Sequence, residues 1–294
     1  MRSPARGTNS IEVDELSQSK TLPSRGGHEP SAATLRVSVK AVAWLWAVSV
    51  VGLVLAHLLG QFSKYQLGRD HLLGFVSLFN LDAELNVPTW FASMSLFVSA
   101  LLLALIAGLK RASRDPFSLH WIGLCVIFVG LSVDEAAGLH ERLSGLISSH
   151  VATRGVFLYA WTIPAAVAVV VVGLVYLRFL FHLPRVVRYL FVVAAVAYAG
   201  GALGMEMIEG KFVTALGQDN LAHSLLVAWE ELLELAGVAV FICALVLYLS
   251  KEYSRVEIRF GAKAMQDYAG ATDSRSSDDR PLAQPAARGA GEPS

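Results

Sequence analysis

Residues 118–143 read SLHWIGLCVIFVGLSVDEAAGLHERL. From Trp121 to Val133 the segment carries no charged side chain, and then Asp134, Glu135, His140 and Glu141 arrive in quick succession. A helix that crosses a bilayer needs about 20 predominantly apolar residues. The segment reaches that length only if its acidic end belongs to the span or borders it directly. It therefore reads as a membrane helix that carries carboxylates and an imidazole to one face of the membrane.

The rest of the chain supports the membrane reading. The 294 residues are 54% hydrophobic and 16% charged, against about 25% charged in an ordinary soluble domain. The deficit comes from long apolar runs separated by short polar ones. Six runs are long enough to span: 40–60, 90–109, 118–140, 157–181, 187–208 and 222–249. The expected fold class is an all-α polytopic membrane protein, a six-transmembrane-helix bundle. Its domain occupies 36–250, flanked by a disordered tail at 1–35 and a mostly disordered tail at 251–294, both poor in apolar residues. A short amphipathic surface helix is expected near 256–268. The first apolar run begins near Val39 and has the length of a span, not of a signal-peptide core. Between Gln61 and Pro88 the pattern is too broken to cross, and a loop with a short interfacial helix is expected there.

Lys and Arg in the short loops set the orientation. Arg36, Lys40, Lys110, Arg111, Arg114, Arg178, Arg185, Arg188, Lys251, Arg255, Arg259 and Lys263 collect on one side, and only Lys64, Arg69, Arg142, Arg154 and Lys211 on the other. This predicts a cell inner-membrane protein with both termini in the cytoplasm. An even number of spans agrees with it.

With that topology, three acidic clusters fall at similar depth near the outer face. The third span ends in Asp134, Glu135, His140 and Glu141. The fifth ends in Glu206 and Glu209, one helical turn apart. The sixth begins with His223, Glu230, Glu231 and Glu234, of which His223, Glu230 and Glu234 lie within about 40° of one another on a helix. In a continuous third helix, Asp134 and Glu141 would also share a face.

An ionised carboxylate at the bilayer centre costs about 2.5–3.5 kcal/mol. Only Arg142, Lys211 and Arg154 lie near the eight carboxylates in sequence, so protons or a bound cation must supply the missing charge. Carboxylate and imidazole without thiolate suit Fe, Mn or Zn. The expected metal ligands are Asp134, His140, Glu141, Glu206, Glu209, His223, Glu230 and Glu234, with Glu135 and Glu231 as catalytic acid–base groups. The Glu-x-x-His repeat of four-helix di-iron bundles is absent. The chain offers Asp-Glu-x4-His-Glu, Glu-x-x-Glu and His-x6-Glu-Glu-x-x-Glu instead. The function expected is a metalloenzyme, oxidising or hydrolysing, that acts on a lipid-like or apolar substrate, with membrane lipids as its surroundings. A proton- or cation-coupled transporter is the alternative, since intramembrane acids also form proton relays. A non-catalytic assembly or sensor subunit is the third reading.

Other features have structural readings. Cys125 and Cys243 lie in apolar runs and read as small core residues. His57 reads as a hydrogen-bonded core residue. Gly200 and Gly204 in AYAGGALG are expected to let a neighbouring helix approach closely. Trp44, Trp46, Trp90, Trp121 and Trp161 read as interfacial anchors. No Walker loop, Gly-x-Ser-x-Gly elbow or His-Glu-x-x-His is present. No basic stripe with interleaved aromatics suggests nucleic acid.

Overall fold

The computed structural model describes residues 38–69 and 71–253, which are helical with no strand among them. The expectations for the two tails and for 256–268 lie outside the described residues. Six helical segments are long and apolar enough to cross a membrane. These are α1 (Val39–Leu67), α3 (Val87–Ala112), α4 (Ser118–Ala137), α6 (Thr162–His182), the continuous run Arg185–Leu216, and α9 (Leu221–Glu252). The run Arg185–Leu216 consists of α7 (Arg185–Ala199), a π-helical turn (Gly200–Met205) and α8 (Glu206–Leu216). Two short helices, α2 (Phe75–Leu78) and α5 (Leu139–Ser148), lie between spans. The protein is an all-α, multi-pass membrane protein.

Local chemistry sets several helix ends. Asn86 caps α3 by accepting the Thr89 N–H at 3.1 Å, with Pro88 in the first turn. Asn220 caps α9 by accepting the His223 N–H at 2.9 Å. Such a cap is worth about 1 kcal/mol. Gly68 closes α1 in the left-handed region, so this helix runs one to two turns past the expected stop at residue 60.

Two expectations are corrected. The third span does not continue to residue 140. It stops at Gly138 (φ 57°), and a new helix restarts beyond it. Asp134 and Glu141 therefore lie on different helices and do not share a face, and Glu141 is exposed. The fourth span starts at Thr162; residues 155–157 form a 3-10 turn before it.

The close helix approach is real but uses other glycines. A Cβ on Gly201 would stand 2.7 Å from Glu234 Cγ and 2.8 Å from the Glu230 carbonyl oxygen, and one on Gly237 would stand 2.7 Å from the Tyr198 nitrogen. Gly200 and Gly204 meet nothing within 4 Å. The π turn is the reason: its wider turn rotates the contacting face by part of a residue step. α7 and the π turn thus lie backbone to backbone against α9, the small-residue packing that membrane helices use in place of a hydrophobic driving force.

The largest core cluster lies toward the basic ends of the helices. Trp121 is only 1% exposed and meets Phe179 edge-on at 4.9 Å, while Phe128 stacks on Phe241 at 4.5 Å. Trp121 is accordingly a core residue and not an anchor. Trp44 and Trp90 are exposed, as anchors require, whereas Trp46 donates to Ser95 Oγ at 3.0 Å. Lys110 closes this end through Glu252 at 3.1 Å and Asp115 at 3.4 Å. Both cysteines are free, and Cys125 donates to the Ala100 carbonyl. The opposite end holds the acids.

Candidate functional site

The site begins where α4 breaks. Gly138 takes a left-handed conformation, and its missing Cβ leaves the space occupied by the Glu84 carboxylate. The chain turns there, and Asp134 clamps the restart: Oδ1 accepts the His140 N–H at 2.8 Å and Oδ2 faces His140 Nδ1 at 3.1 Å. A carboxylate on one ring nitrogen orients the imidazole and leaves the other nitrogen for chemistry. The Trp161 ring packs 5.0 Å from the imidazole, and its Nε1–H donates to Glu206 Oε1 at 2.8 Å. Burial works against a charged His140. The hydrogen bond and charge of Asp134, with Glu206 and Glu135 behind it, outweigh burial and hold the imidazole above its ordinary range.

A second carboxylate–imidazole pair lies on α8 and α9. Glu209 and His223 are 4% and 1% exposed, with Oε2 and Nε2 separated by 3.6 Å. Glu209 Oε1 and His223 Nε2 have no hydrogen-bond partner although both are buried. Buried polar atoms are rarely left in that state. Glu230 follows two turns beyond His223 on α9. Glu206, one turn before Glu209, links this pair to the His140 pair.

The loop between α2 and α3 closes the site. His57, 1% exposed, accepts the Leu81 N–H on Nδ1 at 3.0 Å and lies 3.2 Å from the Ser224 carbonyl through Nε2. It pins the loop to α9, in keeping with its reading as a core residue. Asn86 Nδ2 donates to the carbonyls of Asn80 and Ala83 at 2.6 and 2.8 Å. This framework fixes the backbone on either side of Asp82, whose side chain is exposed. Partial desolvation by its neighbours raises the Asp82 carboxyl above its ordinary range although the residue is exposed; His223 opposes that shift and Glu209 adds to it. Deeper along α9, Glu231 and Glu234 share with Glu135 and Tyr198 a cavity of about 10 Å³, roughly the space of one water.

The expected residues thus fall into two carboxylate–imidazole pairs, Asp134–His140 and Glu209–His223. Glu206 is tied to the first pair through Trp161 and precedes Glu209 by one turn, Glu230 follows His223 on α9, and Glu135, Glu231 and Glu234 line the small cavity. Glu141 stays on the exposed face of α5. No Lys or Arg among the described residues forms an ion pair with any of these carboxylates, and Arg142 and Lys211 are exposed. Among the described residues, no three His, Cys, Asp or Glu side chains are gathered closely enough to hold a metal ion. Asp82, Glu84, Trp161 and Tyr198 join the site without having been singled out for it in the sequence. The polar interruption LDAELN before the Asn86 cap was the one available signal for the first two.

The arrangement sets buried carboxyl and imidazole groups close together without a Lys or Arg ion pair among the described residues. No curated protein and no solved structure matches the chain. A family model does match, over residues 45–249, which takes in four spans whole, most of the first and sixth, and every site residue named above. The chain belongs to that family, which is described as a domain of unknown function, DUF8692.

Proposed function

We propose that this membrane protein binds a divalent cation within the group of acids and imidazoles around Glu209–His223 and Asp134–His140, here called the acidic chamber, and uses it on a lipid-like or apolar substrate that arrives from the bilayer. The observation that carries the reading is the buried Glu209–His223 pair, with an unpartnered atom on each partner and no Lys or Arg ion pair to it among the described residues. Two ligands about 2 Å from one ion stand roughly 3–3.5 Å apart, and these two stand at 3.6 Å. Glu230, two turns beyond His223 on α9, is the next ligand to close in. Glu206 and the Asp134–His140 pair form a second set of donors. The donors suit Fe, Mn or Zn. When bound, such a cation would polarise a substrate oxygen or activate water.

The protein's own groups have separate tasks in this reading. Asp134 holds His140 in one orientation. Trp161 fixes Glu206. Glu135 and Glu231, around the small cavity with Tyr198, hold the protons that chemistry next to the chamber would move. The excess of Lys and Arg at the other end favours both termini in the cytoplasm and the chamber at the outer face of the cell inner membrane.

Elemental analysis of purified protein tests this reading. At least one equivalent of Fe, Mn or Zn per chain is expected, falling about tenfold in Glu209→Gln and in His223→Gln, as loss of a principal ligand implies. Absence of metal under iron, manganese and zinc supplementation would remove the reading. The row Glu230–Glu231–Glu234, continuing inward from the chamber, favours ion-coupled transport as the second reading. Uptake driven by a pH gradient in proteoliposomes of metal-free protein would move the conclusion there.

A further inference from the structure

Beside the chamber, at the same end of the bundle, lies a polar cavity of about 270 Å³. Uncharged hydrogen-bonding side chains dominate its wall: Gln61, Tyr65, Ser77, Asn80, Gln218 and Ser224. Its inner wall is shared with the chamber, because Asp82 lines the cavity and Ser224 follows His223 on α9. We propose that this cavity binds an uncharged, hydroxyl-rich headgroup, a sugar or glycerol unit on a lipid, and presents it to the Glu209–His223 pair. The binding stands on the cavity alone; the presentation rests on the function proposed above.

Charge decides among the headgroups. Among the described residues, Lys64 is the one cation of Lys or Arg type in the wall, and it is already matched by Asp219 at 2.8 Å, which also accepts from the Tyr65 hydroxyl at 2.9 Å. That pairing leaves little for a phosphate, which would also meet the acids behind Asp82. A quaternary ammonium group seeks an aromatic face, but the Lys64 ammonium stands over the Tyr65 ring at 4.6 Å. Apart from Asp82 and His71, what remains is neutral. Gln61 Nε2 is engaged with Asn80 Oδ1 at 2.8 Å, which leaves Asn80 Nδ2 to donate. Ser77 Oγ donates to the Gly74 carbonyl at 3.0 Å and keeps its lone pairs. Gln218 donates weakly to the Tyr159 hydroxyl at 3.4 Å and keeps its carbonyl. A dense set of neutral donors and acceptors matches vicinal hydroxyls. The volume is below that of an ordinary drug-sized pocket, about 300–1,000 Å³, and suits a headgroup.

The surroundings favour a lipid over a free polyol. Lining residues alternate in sequence with apolar residues turned outward: Phe62 beside Gln61, Leu72 beside His71, and Leu78 beside Ser77, all exposed. Leu72 and Leu73 adopt positive φ of 33° and 56°, a strained conformation for branched side chains. It leaves Leu73 fully exposed, two residues along the chain from His71 in the cavity wall, a position from which it could meet acyl chains.

The test uses the full-length protein in phosphatidylcholine nanodiscs doped with equal amounts of a monoglucosyl diacylglycerol and phosphatidylglycerol. Bound lipid is read by native mass spectrometry and metal by elemental analysis of the same samples. The glucosyl lipid should be retained about tenfold over either phospholipid. Asn80→Leu should lower that retention about fivefold, the loss of one or two hydrogen bonds. Gln218→Leu, on an exposed loop, should do the same while leaving the fold intact. Equal retention of the three lipids, or retention unchanged in Gln218→Leu, would overturn the proposal. Displacement by free glucose at concentrations comparable to the lipid would place the ligand in solution and overturn the lipid assignment. Selective retention by metal-free protein would keep the headgroup site and remove the metal reading, so the two fail separately.

Discussion

At the scale of single residues, Asp134 shows how a membrane protein keeps a charge near lipid. One oxygen takes a main-chain N–H and the other faces the His140 ring, so a single carboxylate both restarts a helix and orients a base. His140 is held above its ordinary value by that contact. A histidine whose folded value is raised contributes stability that is full below the unfolded value, about 6.5. The contribution is lost as pH rises through the raised folded value. Thermal unfolding in detergent should therefore separate the protein from its His140→Gln variant by about 1–2 kcal/mol at pH 5, the worth of a partly exposed charged hydrogen bond. The gap should narrow steadily toward pH 9. A gap that does not change with pH would mean that the imidazole is held by packing against Trp161 and not by charge.

At the scale of elements, the π turn is the feature that places the chamber. It interrupts the run from Arg185 to Leu216 just before Glu206, where α9 carries Glu230 and Glu234. Because Gly201 touches α9 backbone and Gly200 and Gly204 touch nothing, the three glycines should respond differently to one added methyl. Gly201→Ala should cost about 1–3 kcal/mol in thermal stability, the usual penalty for overpacking. Gly200→Ala and Gly204→Ala should be neutral or should stabilise by about 0.5–1 kcal/mol, since glycine is unfavourable within a helix. Equal losses at all three would mean that the turn is regular α-helix in the protein.

The same element shows what could be read from sequence and what could not. The existence and order of the six spans were legible, because hydropathy over 20 residues is a local property. So was the gathering of acids at one end, because each lies at a known distance from a span boundary. The break at Gly138 was not, since Ala-Ala-Gly-Leu is compatible with a continuing helix. The left-handed turn goes with a Glu84 carboxylate that arrives from a separate loop. The choice of Gly201 over its neighbours was hidden for a related reason: a π turn changes the helical period without changing composition. Asp82 and Glu84 belong to the site through His57, whose two contacts join residues far apart in the chain. Periodicity does not report contacts of that kind.

At the scale of the whole molecule, charge is polarised along the bundle. Lys40, Lys110, Arg111, Arg185, Arg188 and Lys251 lie at one end of the spans, and the acidic chamber lies at the other without a basic partner among the described residues. Lys and Arg near span ends are retained on the cytoplasmic side, whereas Asp and Glu contribute little to topology. The acids are therefore free to collect at the opposite end, and in the proposed orientation the chamber would draw its cation from outside the cytoplasm. Cysteine labelling in intact cells checks this in a chain lacking Cys125 and Cys243. A membrane-impermeant maleimide should label Ser148→Cys, an exposed position at the chamber end. Ser113→Cys, exposed at the basic end, should react only after the membrane is permeabilised. The reverse pattern would turn the protein over and place the chamber in the cytoplasm. Its cation would then come from the buffered cytoplasmic pool, and the headgroup cavity would face the inner leaflet.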